Sequence, residues 1–351
     1  TYSISLLRPH SYRNSLVVDD GFFQGCPVIR VGAIGSELEF LRYRKRRELE
    51  YLFASYDLVI VVTGIVQFAN VIPKIKAPLL VQCATRLPWE RESQYESMSR
   101  IKRFVLKSQL PFLSFQEHKV LRSQALFLVE NSRMRDWIES KAIRKPEMWY
   151  PPVETAHTNS PPNLSANRKG HFISVGRLND PRKGWERLFL AYRKAFDLNS
   201  ALPELIVIGG GEFSQSIRDL LQEQGSRYPV TILQNATDEE RDLAIQSASY
   251  FLQTSYEEGL GIAALEALSF GIPLICSDTN GSQEYVIEGK SGKLIRQGSH
   301  FIDDFSHALN SSQNWDYESL HINCKELFAT KFSSEASVEK LRMILKRVEV
   351  L

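Results

Sequence analysis

The chain has 351 residues, a length that favours two domains, each large enough to bury its own core. Apolar residues make up 43% and charged residues 24% of the sequence, which excludes a disordered chain, a collagen-like repeat and a coiled coil. The 43 Lys and Arg residues against 41 Asp and Glu residues leave a formal charge of +2, so no nucleic-acid partner is expected and any basic partner site is local.

The cysteines and the apolar runs indicate the cellular compartment of the protein. Four cysteines occur singly, without C-x-x-C spacing or a histidine at ligand intervals, so neither a disulfide scaffold nor a zinc site is predicted. The longest apolar runs, such as Leu58 to Val62, have strand length and are too short to span a membrane. The chain opens at Thr1 without a signal-peptide pattern, which indicates a trimmed start. We expect a reducing, cytoplasmic setting.

The first 158 residues predict an α/β sheet with an irregular beginning. Asp57 to Val62, Pro78 to Val81 and Ala125 to Glu130 are typical of buried strands. Tyr150 to Val153 contains two prolines, and the polar run that follows, Ala156 to Lys169, is rich in Pro, Asn and Ser. This composition predicts an exposed hinge between a first domain, residues 1–158, and a second.

From Lys169 onward, short apolar runs alternate with amphipathic stretches of helical period, the pattern of β-α units around a parallel sheet. The predicted strands are Phe172 to Val175, Leu205 to Ile208, Val230 to Leu233, Tyr250 to Gln253 and Pro273 to Cys276. The predicted helices are Trp185 to Phe196, Phe213 to Gln224, Thr237 to Ala248 with Thr237 as its cap, and Gly261 to Phe270. Together they predict a doubly wound sheet over residues 159–334. A last amphipathic helix, residues 335–351, is expected to pack back on the first domain.

Two glutamates, Glu258 and Glu266, have the clearest chemical context. Seven residues separate them, but this spacing occurs elsewhere in the chain and alone carries no information. A predicted strand ends near Thr254, Gly259 and Gly261 form a loop, and a helix follows, so backbone N–H groups and a helix N-terminus face an incoming anion. Two carboxylates at this opening suit a ligand rich in hydroxyl groups.

With this Glu-x7-Glu run, the sequence resembles the retaining glycosyltransferases of the GT-B type, family 4. Other motifs that carry the resemblance follow in the family's order: Val175 to Leu178 and Lys183-Gly184 upstream, then Gly271 to Ile275, Ser277-Asp278, Gly281 to Glu284 and Gly289 to Gly292. The resemblance covers the whole second domain and is much weaker over residues 1–158. It implies the GT-B fold, in which two Rossmann-like domains face each other across a cleft.

The resemblance implies roles for individual residues of this sequence. Arg177 and Lys183 would hold the diphosphate of a nucleotide sugar, where two cations can neutralise the charge that develops on the leaving group. Glu266 would accept hydrogen bonds from the ribose, and Glu258 would face the transferred sugar. The predicted catalytic residues are Glu258, Arg177 and Lys183. The predicted nucleotide-sugar-binding residues are Gly176, Arg177, Lys183, Gln234, Asn235, Glu258, Gly259, Leu260, Gly261, Leu265 and Glu266.

The base and the diphosphate are not expected to use a dinucleotide motif or a metal. Gly209 to Gly211 lacks the full G-x-G-x-x-G pattern, so we interpret it as a strand-to-helix turn. The resemblance places the base near Leu233 to Thr237 instead, where similar proteins use backbone groups. No D-x-D occurs in the sequence, so the metal-binding carboxylate pair of the other large glycosyltransferase class is absent. We expect no metal and no cofactor, with cationic side chains replacing the metal.

Two departures from the family concern the first domain. Val81 to Arg86 holds no histidine where family members bring one to the sugar, so we expect Thr85 or Arg86 to contact the donor. The family opens with a strand, a glycine-rich loop and a long helix, whereas Tyr2 to Leu7 resembles a later strand. The first domain is therefore predicted to lack its opening β-α unit.

A basic cluster, Arg42 to Arg47, is predicted to lie on a helix. It could meet an anionic membrane surface where a lipid-linked acceptor resides, which would make the protein peripheral at the inner membrane face. The alternative is a solvated helix face that pairs with Glu48 and Glu50. The sequence leaves both readings open.

Together these features favour a metal-independent, retaining glycosyltransferase of polysaccharide biosynthesis. It would move a sugar, glucose or a close relative, from a UDP carrier to a glycan or lipid-linked glycan acceptor. Retention suits a site in which the departing phosphate oxygen itself takes the acceptor proton. A nucleotide-sugar epimerase of the same fold is one alternative, which the context of Glu258 and Glu266 disfavours. A catalytically silent nucleotide-sugar-binding protein is another, motivated by the missing histidine and the incomplete first domain.

Overall fold

The computed structural model describes residues 17–23, 25–33, 38–153 and 170–348, which form a β-hairpin and two parallel β-sheets flanked by helices. Up to Met148 the elements are β1 (Val17–Phe23), β2 (Cys26–Val31), α1 (Glu39–Arg42), α2 (Glu50–Phe53), β3 (Val59–Ile65), β4 (Leu79–Thr85), α3 (Leu87–Ser97), α4 (Arg100–Ser108), α5 (Leu110–Leu121), β5 (Leu126–Val129), α6 (Ser132–Glu139) and β6 (Glu147–Met148).

The second half of the chain continues the numbering. Its elements are β7 (Phe172–Val175), α7 (Trp185–Leu198), β8 (Leu205–Gly209), α8 (Gln215–Gln224), β9 (Val230–Gln234), α9 (Asp238–Ser247), β10 (Tyr250–Gln253), α10 (Ile262–Ser269), β11 (Leu274–Ser277), β12 (Gly292–Ile295), α11 (Phe301–Ser311), α12 (Tyr317–Lys331) and α13 (Ser334–Arg347). Short 3₁₀-helices lie at Arg47–Leu49, Val66–Val71, Pro181–Lys183, Gly225–Arg227, Ser282–Glu284 and Ser312–Asn314.

The second sheet has the strand order of a doubly wound dinucleotide-binding fold. Its six strands pair in parallel in the order β12-β11-β10-β7-β8-β9, which is 3-2-1-4-5-6 when counted from β7 and read from the other edge. The order reverses between β7 and β10, where Phe172 lies opposite Tyr250. Open α/β sheets bind their ligands outside the carboxyl ends of the strands at such a switch point. The topology therefore points to the loops that follow β7 and β10.

Helices cover both faces of this sheet. All residues of β10 and β11 are buried, as expected for strands in the middle of a parallel sheet. One face packs against α7, which contributes Phe189 and Tyr192 to the core, and the other packs against α10, which contributes Leu265 and Leu268. The alternation of strands and helices predicted for the second domain is confirmed.

Most predicted boundaries of the second domain differ from the observed ones by only one or two residues. The bounds of β7 and β10 are those predicted, and α9 begins after Thr237 as expected. The Thr237 hydroxyl accepts a hydrogen bond from the Glu240 backbone N–H, while the Glu240 carboxylate accepts one from the Thr237 N–H, a capping box. Strand β12 and helices α11 and α12 were not predicted.

The first sheet is a four-stranded parallel sheet in the order β3-β4-β5-β6. The three predicted strands of this half are confirmed, with β3 and β4 extending further toward their carboxyl ends than expected. Strand β6, the hairpin of β1 and β2, and helices α2, α3, α4 and α6 were not predicted. The stretch Tyr2 to Leu7 lies outside the described residues, so the missing opening unit stays a prediction.

The basic cluster does not lie on a helix, so that prediction is wrong. Helix α1 ends at Arg42, and the next helical turn begins only at Arg47. Between them the chain folds inward: Tyr43 is buried, and the buried Arg46 guanidinium donates a 2.5 Å hydrogen bond to the Gly32 carbonyl. The cluster is therefore divided between interior and surface instead of forming one basic face.

The last helix, α13, packs on the first sheet. Ile344 is buried against Leu80 of β4 and Leu128 of β5. The Trp149 indole N–H donates a 3.0 Å hydrogen bond to the Ser337 carbonyl, and the Ser337 hydroxyl donates a 2.6 Å bond to the Tyr150 carbonyl. The chain thus returns to its first half after completing the second sheet.

Glu130, which follows β5, is a buried carboxyl group that titrates near neutral pH. Burial raises its pKa to about 6, although the hydrogen bond donated by the Gln82 amide acts in the opposite direction. The folded protein therefore holds this proton more tightly than the unfolded chain does, where the ordinary value is 4.5. Stability should fall as the pH rises from about 4.5 to about 6 and stay lower above it.

Glu130→Gln is therefore expected to stabilise the protein at alkaline pH. The amide keeps an acceptor for Gln82 and removes the buried charge. We expect a free energy of unfolding about 2 kcal/mol higher than that of the unchanged protein at about pH 8, with little difference at about pH 4. Urea denaturation at both pH values measures the two differences. Equal stability of the two proteins at the higher pH would contradict the expectation.

Candidate active site

The loops after β7 and β10 bring a lysine and a glutamate together at the switch point of the second sheet. Lys183 Nζ lies 2.6 Å from Glu258 Oε1, and the Ser255 hydroxyl donates a 2.7 Å hydrogen bond to the same oxygen. Both charged side chains are largely but not fully buried. Two of the three predicted catalytic residues thus form a direct ion pair.

Two glycines shape the backbone around Lys183. Gly184 has a φ of +65° and ends the 3₁₀-turn that carries Lys183, and a Cβ there would lie 2.2 Å from the Thr254 carbonyl oxygen. At Gly176 a Cβ would lie 3.2 Å from Lys183 Cε. Because neither position has a side chain, the turn packs against the end of β10 and the lysine lies across Gly176 toward Glu258.

Arg177, the third predicted catalytic residue, is not part of this ion pair. Its guanidinium lies 2.6 Å from Asp180 Oδ2, and its side chain is 65% exposed. The neighbouring Arg182, which was not predicted, is the more enclosed arginine: it lies 2.8 Å from both Asp180 and Glu90. Burial acts to raise the pKa of Asp180, but the hydrogen bonds and the charge of Arg182, together with the charge of Arg177, outweigh burial and the pKa is lowered.

Glu266 lies on α10, behind the glycine loop. Gly261 precedes this helix with a φ of +88°, a conformation that favours glycine. Glu266 Oε1 lies 3.7 Å from an Arg241 nitrogen, and burial raises the Glu266 pKa although Arg241 lowers it. The side chains of Leu260 and Leu265 are buried in the core and are not available to a ligand, and the Leu265 N–H donates a 3.3 Å hydrogen bond to the Gly261 carbonyl.

The predicted base-binding residues lie at the end of β9, where Gln234 is the last residue of the strand and Asn235 follows it. Asn235 has a φ of +56° and donates its backbone N–H to the Gly209 carbonyl at 2.9 Å. The Gln234 amide donates a 2.7 Å hydrogen bond to the Gly211 carbonyl. The glycine triplet after β8 therefore contacts the loop after β9, in agreement with its interpretation as a turn.

The two predicted first-domain contacts have different surroundings. The Thr85 hydroxyl donates a 3.0 Å hydrogen bond to Glu257, next to Glu258 in the chain. Burial raises the pKa of Glu257, although the hydrogen bond from Thr85 acts in the opposite direction. Arg86 instead forms two hydrogen bonds with the buried Glu117, at 2.9 and 3.2 Å, within the first domain. Thr85 therefore lies beside the loop that carries Glu258, whereas the Arg86 guanidinium is paired with Glu117.

The domains also meet at Gly259, which follows Glu258 in the chain. The Asn131 amide donates to the Gly259 carbonyl at 2.9 Å and to the Ala84 carbonyl at 3.0 Å. A Cβ at Gly259 would lie 3.1 Å from the Ala84 Cβ, so this glycine allows the two backbones to approach closely. Glu284 makes a second connection, because it accepts hydrogen bonds from the Ser132 N–H and the Tyr150 hydroxyl, both at 2.7 Å.

A cleft of about 1010 Å³ lies beside these contacts. Its first-domain wall contains Trp89 and Arg133, whose guanidinium lies 4.0 Å from the indole ring centre. Tyr256, Glu257 and Asn280 belong to its second-domain wall. The Lys183–Glu258 pair does not line this cleft, but Glu257 connects the two places. An aromatic ring with charged and amide groups around it is a suitable surface for a sugar.

Sequence reasoning did not identify Arg182, Glu257, Asn131 or Glu284 as site residues. Two of them could have been identified from the sequence, since Arg182 and Glu257 directly precede the predicted catalytic residues Lys183 and Glu258. Asn131 directly follows a predicted strand of the first domain, where the carboxyl ends of parallel strands meet. Glu284 belongs to the motif Gly281 to Glu284, in which it had no predicted role.

Comparison with known proteins shows similarity to glycosyltransferases. Residues 157–317 match the family described as "Glycosyl transferases group 1". An α-1,3/1,6-mannosyltransferase, ALG2, from Dictyostelium discoideum is 27% identical over 50% of this chain and 40% of its own length. A GDP-mannose-dependent α-(1-6)-phosphatidylinositol monomannoside mannosyltransferase from Mycolicibacterium smegmatis is 27% identical over 33% and 32%. The chain spans less than half the length of these two relatives.

A solved structure extends the likeness beyond the second domain. WaaG, a glycosyltransferase involved in lipopolysaccharide biosynthesis, superposes with a TM-score of 0.62 at 15% identity, covering 83% of this chain and 78% of its own. At this identity the likeness shows the fold alone. The protein has the GT-B fold, with two Rossmann-like domains, as expected from the sequence.

Proposed function

We propose that the protein is a glycosyltransferase that moves a hexose from a nucleoside diphosphate sugar to a glycan or lipid-linked glycan acceptor. The Lys183–Glu258 ion pair carries the proposal, since it places a cation and a carboxylate 2.6 Å apart at the switch point of the second sheet. The arriving diphosphate would take Lys183 from Glu258. The freed carboxylate would then face the sugar, whose ring gains positive charge as the bond to phosphate breaks.

The reaction is proposed to retain the configuration of the sugar, as in family 4. With donor and acceptor on one face, the departing phosphate oxygen takes the acceptor proton, and no carboxylate nucleophile is needed. Glu258 then acts as a charged hydrogen-bond acceptor that faces the sugar, and not as a nucleophile. The Ser255 hydroxyl donates a hydrogen bond to the same carboxylate oxygen as Lys183, and would hold Glu258 in position once Lys183 contacts the diphosphate.

The donor is proposed to be a UDP-sugar, UDP-glucose or a close relative, with GDP-mannose as the second candidate. GDP-mannose is supported by the name of the M. smegmatis relative. Glu266 would bind the ribose of either nucleotide, and the backbone around Asn235 would receive the base. The acceptor is proposed to occupy the cleft between Trp89 and Tyr256.

A panel of donors tests the proposal. The protein is incubated with UDP-glucose, UDP-galactose, UDP-N-acetylglucosamine and GDP-mannose, with and without lipid-linked and free glycan acceptors, and nucleotide release is followed. Release that depends on an acceptor supports transfer. A new sugar epimer without transfer would favour the epimerase, and binding without either reaction would favour the silent binding protein.

Turnover is expected to be unchanged by chelators. Lys183, and the more exposed Arg177, supply the positive charge that a metal would otherwise bring to the diphosphate. Initial rates are measured before and after dialysis against EDTA, and again after Mg²⁺ or Mn²⁺ is added. Loss of activity in EDTA that either ion restores would show that a metal is required.

A further inference from the structure

Helix α4 and the start of α5 expose a group of large apolar side chains. Ile101, Phe104 and Val105 lie at positions i, i+3 and i+4 of α4, on one face of the helix, and Phe112 and Phe115 follow on α5. The exposed fractions are high: 79% for Ile101, 74% for Phe104 and 68% for Phe115. The apolar stripe of a surface helix normally packs on the core, whereas this one faces outward. We call these five residues the α4–α5 surface.

The charged residues of the segment that carries the α4–α5 surface are of one sign, and the nearby Glu39 of α1 is paired with Arg91. Arg100, Lys102 and Lys107 lie on the same helix and are exposed. The sequence has no Asp or Glu from Ser97 to Gln116. The next acidic residue, Glu117, is buried and occupied by its ion pair with the Arg86 guanidinium. An apolar stripe is therefore surrounded by cations that no exposed carboxylate of this segment neutralises.

We infer that the α4–α5 surface docks on an anionic lipid bilayer. Its apolar side chains would enter the boundary between headgroups and acyl chains while its lysines and arginines meet the lipid phosphates, as for an interfacial amphipathic helix. A second copy of the chain fits less well, because two such surfaces would bring cations face to face. None of the helices in the described ranges is long and apolar enough to cross a bilayer.

The position of α4 gives this contact a consequence for the site. Ser99 and Lys102, at the start of α4, line a cleft of about 530 Å³ together with Arg177 and Asp180 of the second domain. A bilayer on the α4–α5 surface would therefore lie beside one entrance to the space between the domains. A lipid-linked acceptor could reach that entrance without leaving the membrane.

Vesicle sedimentation with the whole protein tests the inference. The unchanged protein is expected to bind vesicles of phosphatidylcholine with about 30% phosphatidylglycerol, and to bind vesicles of phosphatidylcholine alone at least about tenfold more weakly. Ile101→Ser with Phe104→Ser should reduce binding to the anionic vesicles at least about tenfold. Lys102→Glu with Lys107→Glu should do the same by reversing charge.

A matched double variant on the second domain serves as the control. Leu198→Ser with Ile322→Ser also removes two exposed apolar side chains and should leave vesicle binding unchanged. Thermal unfolding checks that each variant is folded, which is expected because the substituted side chains are exposed. Absence of binding to anionic vesicles, equal binding to both vesicle types, or full binding by the Ile101 and Phe104 variant would overturn the inference. So would self-association abolished by that variant without vesicle binding.

Discussion

Glu258→Ala is expected to lower kcat by about ten- to a hundredfold while the affinity for free UDP or GDP stays the same or rises. The loss corresponds to a charge-assisted hydrogen bond of about 1.5 to 3 kcal/mol that is made in the transition state. Nucleotide affinity is spared because Lys183, whose ammonium lies 2.6 Å from Glu258, loses a competing partner and becomes free for the diphosphate. Turnover is measured at saturating donor, and the Kd for nucleotide is measured by calorimetry.

A second variant serves as the control for Glu258→Ala, because it removes a carboxylate outside the site. Glu288→Ala removes an exposed carboxylate that lies 3.8 Å from Lys293, and should change neither kcat nor Kd. If Glu258→Ala abolishes nucleotide binding, the glutamate supports the structure of the diphosphate site instead of facing the sugar. Its assigned role would then be wrong even if the protein transfers sugars.

Glu266→Ala is expected to have the opposite effect, a Kd for UDP or GDP that is about ten- to a hundredfold higher with kcat at saturating donor nearly unchanged. The ribose does not change during the reaction, so the loss of its hydrogen bonds is a loss of uniform binding. Inorganic pyrophosphate has no ribose, and its affinity should be the same for the variant and the unchanged protein. Calorimetry with the nucleotide and with pyrophosphate provides both values.

Two outcomes would contradict this assignment. Equal nucleotide affinity in the variant would show that Glu266 does not touch the ribose. An equal loss of pyrophosphate affinity would show that the substitution acts through the glycine loop or through Arg241, which lies 3.7 Å from Glu266.

The second domain could be predicted closely from the sequence because its signals are local. Buried parallel strands appear as continuous apolar runs such as Tyr250 to Gln253, and the intervening helices show an apolar stripe and a cap such as Thr237. The motif context likewise brought Lys183 and Glu258 to one loop region. Their ion pair confirms that the two residues are neighbours, while their roles stay proposals.

The different positions of the Arg177 and Arg182 side chains could not be predicted from the local sequence. Both are arginines near the end of β7, and the motif match in the sequence selects Arg177 without indicating where either side chain lies. The turn that ends at Gly184 directs Arg182 toward Glu90 of the first domain and leaves Arg177 against Asp180 at the surface. The hydrogen bonds from Asn131 and Thr85 to the second domain depend in the same way on how two separate sheets are placed.

The return of α13 to the first sheet has a consequence for the order in which the chain can fold during synthesis. Leu80 and Leu128 are synthesised before the second sheet, but Ile344, the residue that covers them, is synthesised after it. The second sheet is complete by Ile295 and can fold while the first sheet still has an uncovered apolar face. The domain synthesised first is therefore the one that finishes last.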